Sequence, residues 1–412
     1  MKTIQPQLNN KINEKKTSKK HGVSSKSSSK AWIVCVIIGF LCMVGGASCA
    51  LWVFLMPEEE LAELNFPKLP TIAEDDKLYS YLTGLELASE ADITAPTYCV
   101  QTPNGMDGAR PQSGMNEAGV VFEAIAEAGI TRFAAIYQNP SAAVIGPIRS
   151  LRLYYLQWDT PFDCTIVHAG GADDALAAVR VGGYKDLTEN YTYMYRGGYS
   201  SRLWNNLFTT SANLAQMNAD REYGGSKVHG FKRMNPTDAL KARVDDTVAE
   251  KLIITKPTTV NLSEMKAAVK DINIHFGGLP NFNVVYNYNA ETNTYNRSYE
   301  SGAAHEVYSC PAENLGEVNP EDNCNLVQLS PSVVVAMIVE EHKASDNYHE
   351  DITAIGSGTA YIFQNGVVTV GTWTKSTAED QIKFHNEKGT EVALIPGQTF
   401  VEAVPDYGWV EY

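Results

Sequence analysis

Apolar and polar positions divide the chain into segments of different texture. Residues 31–56 (AWIVCVIIGFLCMVGGASCALWVFLM) carry no charge at all. From residue 97 onward, short apolar runs alternate with stretches of helical period. Residues 98–101 form a strand-like run. Val120, Val121, Ala124, Ile125 and Ala128 recur at helical spacing, which predicts a helix over 116–128 with Gly129 as its C-cap. A buried strand is expected over 132–137, a helix over 147–158 with Pro147 in its first turn, and a strand over 164–167. The next helix, over 172–181, opens with Asp173 and Asp174, the charge that suits a helix N-terminus. Ser211 heads another, to about residue 220. Residues 224–235 are irregular and 252–255 strand-like. The final part reads differently, with strand-like runs at 283–288, 333–339, 359–363, 367–372, 391–394 and 399–404. Asn365-Gly366 is the signal of a tight hairpin.

This order predicts an α/β N-terminal domain with a mainly parallel sheet, then a β-rich α+β C-terminal domain, preceded by one transmembrane helix. The boundaries follow the texture: a basic tail at 1–30, the membrane helix at 31–56, and a stalk at 57–94 in which residues 79–87 begin the fold. The N-terminal domain then occupies 95–255, a linker or insertion 256–280, and the C-terminal domain 281–412. A helix over 31–56 would be roughly 39 Å long, enough to span a bilayer with some tilt.

Charge supports that topology. Residues 1–30 hold eight lysines against Glu14, a net of +7, so the remainder carries −22 of the chain's −15. The tail lacks large apolar side chains and is expected to be disordered. Lysines before the apolar run and Glu58, Glu59 and Glu60 after it place the tail in the cytoplasm and residues 57–412 outside the cell. An acidic outer part argues against nucleic acid as a partner. Gly46-Ala47-Ser48-Cys49 is a weak lipobox-like match, but the apolar run continues to Leu55 and favours an uncleaved anchor over lipidation of Cys49.

On an oxidising side of the membrane, Cys310 and Cys324 bracket a polar loop and are expected to close it as a disulfide. Cys99 and Cys164 each fall in a strand of the same expected sheet; pairing and buried free thiols remain equally open. No spacing suggests a zinc site, and no motif calls for a cofactor.

Candidate chemistry gathers between residues 110 and 206. Arg149 and Arg152, three apart on the expected helix, would share a face suited to a carboxylate or phosphate. Arg132 joins them if Glu123 or Glu127, four apart on the expected helix, does not take it as an ion pair. Glu123 sits among apolar residues, where a half-buried carboxyl can act as general acid or base. His168, followed by Gly170 and Gly171, ends a strand, the usual place for ligands in an open α/β sheet. Each of these residues has a plain structural role as alternative. Arg202 and Asn205 flank Trp204 in a loop of mixed polar and aromatic character.

Several of these residues lie in motifs that resemble the YerB-like family of bacterial extracytoplasmic proteins, whose domains are of unknown function. In the first half they are Arg110-Pro-Gln-Ser-Gly114, Glu123, Gly129-Ile-Thr-Arg132, Gly146-Pro-Ile-Arg-Ser150, Arg152 and His168-Ala-Gly-Gly171. In the second half they are Tyr286-Asn-Tyr288, Tyr295, Arg297, His305, Gly356-Ser-Gly358, Asn365-Gly366, Trp373-Thr-Lys375 and Leu394-Ile-Pro-Gly397. The resemblance implies a membrane-tethered, two-domain envelope protein, commonly a lipoprotein, and no established reaction. Where the family carries a His-Asn pair, this chain has Trp204-Asn205. The expected function is non-enzymatic binding of an anionic cell-wall component or a wall-synthesis partner, through Arg132, Arg149, Arg152, His168, Gly170, Gly171, Arg202 and Asn205. The alternative is a hydrolase or transferase on wall glycan or peptide, using Glu123 or His168.

Overall fold

Strands that are apolar at successive positions must be covered on both faces, and the central strands of a ten-stranded sheet are. The computed structural model describes residues 77–197, 205–243, 269, 271–310 and 319–412. In spatial order the sheet runs Lys383–Asn386, Val367–Lys375, Gly356–Gln364, Val333–Val339, Thr399–Pro405, Val120–Glu127, Ile130–Gln138, Thr97–Pro103, Thr165–Val167 and Asp186–Leu187. Its first five strands come from the C-terminal part of the chain and its last five from the N-terminal part. They meet where Thr399–Pro405 pairs in parallel with Val120–Glu127. The segments expected as separate domains thus share one sheet, and residues 76–412 form one compact unit.

Alternate side chains enter two cores. Val120, Phe122 and Ala124 pack with Tyr155, Trp158, Phe162 and Phe231 on one face. Val121 and Ile125 pack on the other with Leu214, Met217, Ile272, Ile274, Tyr286 and Tyr295. That second face is covered by the helix Ser211–Asp220 and by a four-stranded sheet ordered Thr294–Tyr299, Val284–Asn289, Asp271–His275 and Trp409–Glu411.

Several local expectations are corrected. Residues 120–127 are a strand, not part of a helix; burial on both faces filled the positions that happened to match a helical period. Gly129, expected as a C-cap, is the second residue of a two-residue hairpin turn. Ala128 and Gly129 have φ of 51° and 74°, and the left-handed region serves a primed turn as well as a helix end. That hairpin is one reason the sheet is mixed and not mainly parallel: antiparallel pairs flank the parallel ones. The helix expected from Pro147 begins only at Leu153, because residues 148 and 149 are held extended, their N–H groups donating to Leu207 O and Gln101 O. The linker expected over 256–280 contains the strand Asp271–His275. Residues 391 and 394 make only isolated bridges. Leu82 is already fully buried, so the fold has begun within residues 79–87, ahead of the domain boundary at 95. The Asn365-Gly366 hairpin forms as expected.

Cys310 and Cys324 are bonded, and so are Cys99 and Cys164, which settles the pair that spacing left open. The latter bridge closes a separation of 65 residues between adjacent parallel strands. The helix expected over 31–56, the strand over 252–255, and Arg202 with Trp204 lie outside the described residues. Among the described residues, no helix is long and apolar enough to cross a membrane.

Asp159, the last residue of the helix Leu153–Asp159, is fully buried in the first core. Gln101 Nε2 donates to it at 2.9 Å, but no cation among the described residues accompanies it. Burial therefore pushes its carboxyl well above the usual range. The folded state holds the proton while the unfolded chain releases it above about pH 4, so stability falls as pH rises through that range. Asp159→Asn should raise the melting temperature at pH 8 by roughly 4 °C or more and change it little at pH 4. Equal shifts at both pH values in a calorimetric melt would refute the assignment.

Candidate functional site

The register of the two parallel central strands sets Glu402 directly beside Glu123. Both side chains are fully buried. Two like charges at that separation and depth are unfavourable without a cation, and Arg297 supplies one. It comes from the Thr294–Tyr299 strand of the covering sheet, where Tyr295, Arg297 and Tyr299 point inward in strict alternation. Its guanidinium binds Glu402 Oε1 at 2.6 Å and pairs with Glu123 and the Tyr286 hydroxyl. Its Nε donates at 2.8 Å to His305 Nδ1. Because arginine has only donors, His305 must accept there and carry its proton on Nε2, which reaches Gln112 Oε1 at 3.0 Å. Burial, with Arg297 and Arg110 alongside, holds His305 well below the usual histidine range, so it is neutral. Burial and the neighbouring Glu123 push Glu402 far above the carboxylate range. Glu402 therefore keeps a proton at neutral pH, and the cluster is balanced.

This cluster reaches the surface through the carboxyl ends of the Thr97–Pro103 and Val120–Glu127 strands. Asn104 Nδ2 bonds both Glu123 Oε1 (3.0 Å) and Thr131 Oγ1 (2.8 Å), and Thr131 Oγ1 donates to the same Glu123 oxygen at 2.5 Å. Arg110 Nε donates to Asn104 Oδ1 at 2.8 Å while its guanidinium stacks 3.8 Å over the Tyr299 ring. Asn104 and Thr131 are also wall residues of an open cleft of 210 Å³.

The rest of that cleft is built around Glu127. A register shift between Ile125 and Glu127 interrupts the strand just before it, and bulges at a sheet rim re-aim side chains. The Tyr154 hydroxyl donates to Ile125 O at 2.8 Å, and the Tyr155 hydroxyl receives Ala124 N–H at 3.1 Å, so the helix behind satisfies the irregular backbone. Arg132 binds Glu127 Oε1 at 2.7 Å and Ser150 O at 2.8 Å; Arg152 binds Oε2 at 2.5 Å. Burial alone would raise the Glu127 carboxyl, but the two arginines outweigh it and hold it below the usual range.

Arg149 completes the group without being consumed by it. It lines the cleft, partly buried, and its guanidinium makes no hydrogen bond or ion pair with any described residue. Desolvation draws its pKa down against the pull of Glu127. Three arginines against Glu127 leave an excess of two positive charges at this end of the cleft. Opposite stand Asp107 and Asn205, whose Nδ2 donates to Asp107 Oδ1 at 3.0 Å. Tyr348, 58% exposed on the hairpin joining Glu341–Lys343 to Glu350–Ile352, forms the outer wall.

The structure thus brings together Arg132, Arg149 and Asn205 at the cleft, with Arg152 behind Glu127. Arg149 and Arg152 do not share a helix face; an extended segment and a helix start carry them. His168 is apart, buried, with Nδ1 2.6 Å from Gly170 O and Nε2 2.8 Å from Asp186 Oδ1. Gly170 and Gly171 pair with the backbone around Leu151, and Gly171 lines a separate acidic cleft with Arg152. Arg202 lies outside the described residues. Glu123, a candidate acid or base, has no surface of its own. Sequence reasoning missed Asn104, Asp107, Thr131 and Tyr348. Among the described residues no cluster of three or more His, Cys, Asp or Glu is placed to hold a metal.

Arg297→Met would leave Glu123 and Glu402 together without their cation. Breaking a buried pair this way costs about 3–5 kcal/mol, to be read from urea unfolding. Adding Glu123→Gln should recover part of the loss. A single variant as stable as the parent would show that Arg297 does not hold the two carboxylates together.

Comparison with known proteins agrees with this architecture. The family model described as "Protein of unknown function (DUF3048) N-terminal domain" matches residues 82–224, and its C-terminal counterpart matches residues 272–401. The Bacillus subtilis (strain 168) protein named "Putative lipoprotein YerB" is 26% identical over 334 residues, covering 80% of this chain and 87% of its own length. The crystal structure of the YerB protein from Bacillus subtilis has a TM-score of 0.62 at 21% identity, covering 82% of this chain and all of that one. At that identity the likeness speaks to the fold alone. With both domain models matched, and the motif residues Arg110, Gln112, Glu123, Tyr286, Arg297 and His305 converging in one buried network, the chain belongs to the YerB-like DUF3048 family.

Proposed function

We propose that this protein is an envelope-associated binding protein whose cleft takes an anionic group of a cell-wall component, a carboxylate or phosphate. The observation that carries this is Arg149: a partly buried guanidinium, unpaired among the described residues, at the positive end of a concave site. The buried Nε of Arg132 also lacks a partner there. A guanidinium fork matches both anions in two-pronged geometry. Size narrows the ligand. At 210 Å³ the cleft is smaller than the roughly 300–1,000 Å³ of typical small-molecule pockets, so it encloses a head group and leaves the remainder of the ligand outside, against Tyr348.

Envelope association is supported by the name of the Bacillus subtilis relative, "Putative lipoprotein YerB", and by the two disulfides, which need an oxidising compartment. Anchoring by residues 31–56, with the tail inside and residues 57–412 outside, follows from the charge pattern of the sequence. A wall-synthesis protein presenting an acidic segment would meet the same arginines. Neither Glu123 nor His168 is offered as a catalyst, since both are buried and fully engaged.

The test is titration of the full chain, held in non-ionic detergent, with a soluble disaccharide-peptide released from cell wall. Arg149→Ala should weaken binding by about tenfold or more, the value of one charge-assisted contact, without lowering the melting temperature. Arg152→Ala should also destabilise the fold, because it strips Glu127 of one partner. Unchanged affinity in Arg149→Ala would remove the site.

A further inference from the structure

The arginine cleft is not positive throughout. Two carboxylates line it, and Glu127 has one oxygen on Arg132 and the other on Arg152. The second, Asp107, belongs to the loop after the strand Thr97–Pro103 and is partly exposed. Asn205, 2% exposed, donates from Nδ2 to Asp107 Oδ1 at 3.0 Å and to Asp107 O at 3.3 Å, which fixes the direction of the carboxylate. A Cβ on Gly105 would stand 2.6 Å from Asp107 Oδ1, so the carboxylate lies over a glycine that is itself a wall residue of the cleft.

Arg149 is held as firmly. Its N–H donates to Gln101 O at 2.7 Å and its carbonyl accepts from Ala169 N–H at 3.0 Å, so its backbone is pinned from two sides. The guanidinium is partly exposed and pairs with no described residue. Asp107 is near enough to favour the charged form of Arg149, yet the two form no ion pair. A cation and an anion that line one cleft without meeting leave a gap that a ligand bearing both charges would close. A phosphate or a lone carboxylate would satisfy Arg149 but bring its charge up to Asp107. The cleft, at 210 Å³, has room for about seven waters. An ammonium, a carboxylate and the carbon that joins them fit that space.

We propose that the group this cleft takes is zwitterionic, an α-amino-acid end with its carboxylate on Arg149 and its ammonium on Asp107. The assignment rests on the reading of the cleft as an anion site and narrows it. Asp107 keeps its present partners; a carboxylate has about four acceptor positions, so the ammonium joins them. Among wall components, a peptide branch whose diamino acid carries a free ammonium and a carboxylate on one carbon has this end. A phosphate-rich wall polymer does not.

The test is titration of the full chain, in non-ionic detergent, with such a disaccharide-peptide in three forms: untreated, acetylated on that amine, and dimethylated on it. Acetylation removes the charge and should weaken binding about tenfold, the value of one charge-assisted contact. Dimethylation adds similar bulk but keeps the charge, and should preserve most of the affinity. Asp107→Asn, which keeps the shape, should bind the untreated form about tenfold more weakly and no longer distinguish it from the acetylated one. Arg149→Ala should weaken all three. Equal binding of the untreated and acetylated forms by the parent, equal losses on acetylation and dimethylation, or a distinction that survives in Asp107→Asn would each overturn the zwitterion assignment and leave the anion site standing. If the parent binds none of the forms, both fall. Should Asp107→Asn fail to fold, the three forms on the parent chain decide alone.

Discussion

One arginine, Arg297, makes the central sheet possible. The sheet closes only if a C-terminal strand lies beside an N-terminal one, and the register that closes it puts Glu402 next to Glu123 in the interior. Carboxylates side by side in a dry core repel each other. The guanidinium between them, with a proton retained on Glu402, turns that repulsion into a neutral, hydrogen-bonded junction. Arg297 comes from a third element, the covering sheet, so one side chain ties together the two halves of the large sheet and the layer above it. A buried ion pair adds little net stability over apolar packing. Its better-supported use is to select one register, because a slip of one residue would turn Glu402 into the opposite core.

The same junction positions the cleft. Glu123 holds Asn104 and Thr131, and these are cleft walls. Arg110 buttresses Asn104 and is itself stacked on Tyr299 of the covering sheet. Much of the cleft is thus built on strands of the large sheet, and the hairpin carrying Tyr348 forms its outer wall. Two carboxylates, Glu123 and Glu127, sit four residues apart on one strand with opposite roles. One is sealed and organises the interior; the other is displaced to the rim, where it gathers arginines.

Much of the fold was legible locally. The Asn365-Gly366 turn, the strands at 333–339 and 399–404, the helix at 172–181 and the Cys310–Cys324 loop all follow from neighbours in sequence. The strand at 120–127 was not, because a strand covered on both faces loses the alternation that would identify it, and Ala-Gly suits a helix end as well as a hairpin. For the site, Arg132, Arg149 and Arg152 were visible as a concentration of charge. Arg297 is marked in the sequence as a family motif residue and as an arginine between two tyrosines at alternate positions of a strand, but neither feature says which carboxylates it meets.

What the sequence alone determined is local or compositional: an uncharged run of 26 residues between a basic tail and an acidic body, strand-forming runs and their turns, and the motifs that mark the family. The tertiary structure decided that the two halves share one sheet, that Cys99 meets Cys164, that His168 is sealed against Asp186, and that, among the described residues, Arg149 finds no partner while Arg132 and Arg152 take Glu127. The reason is physical. Strand pairing and counter-ion choice depend on contacts between residues up to about three hundred positions apart in the chain, and no periodicity within a segment encodes which distant partner will neutralise it.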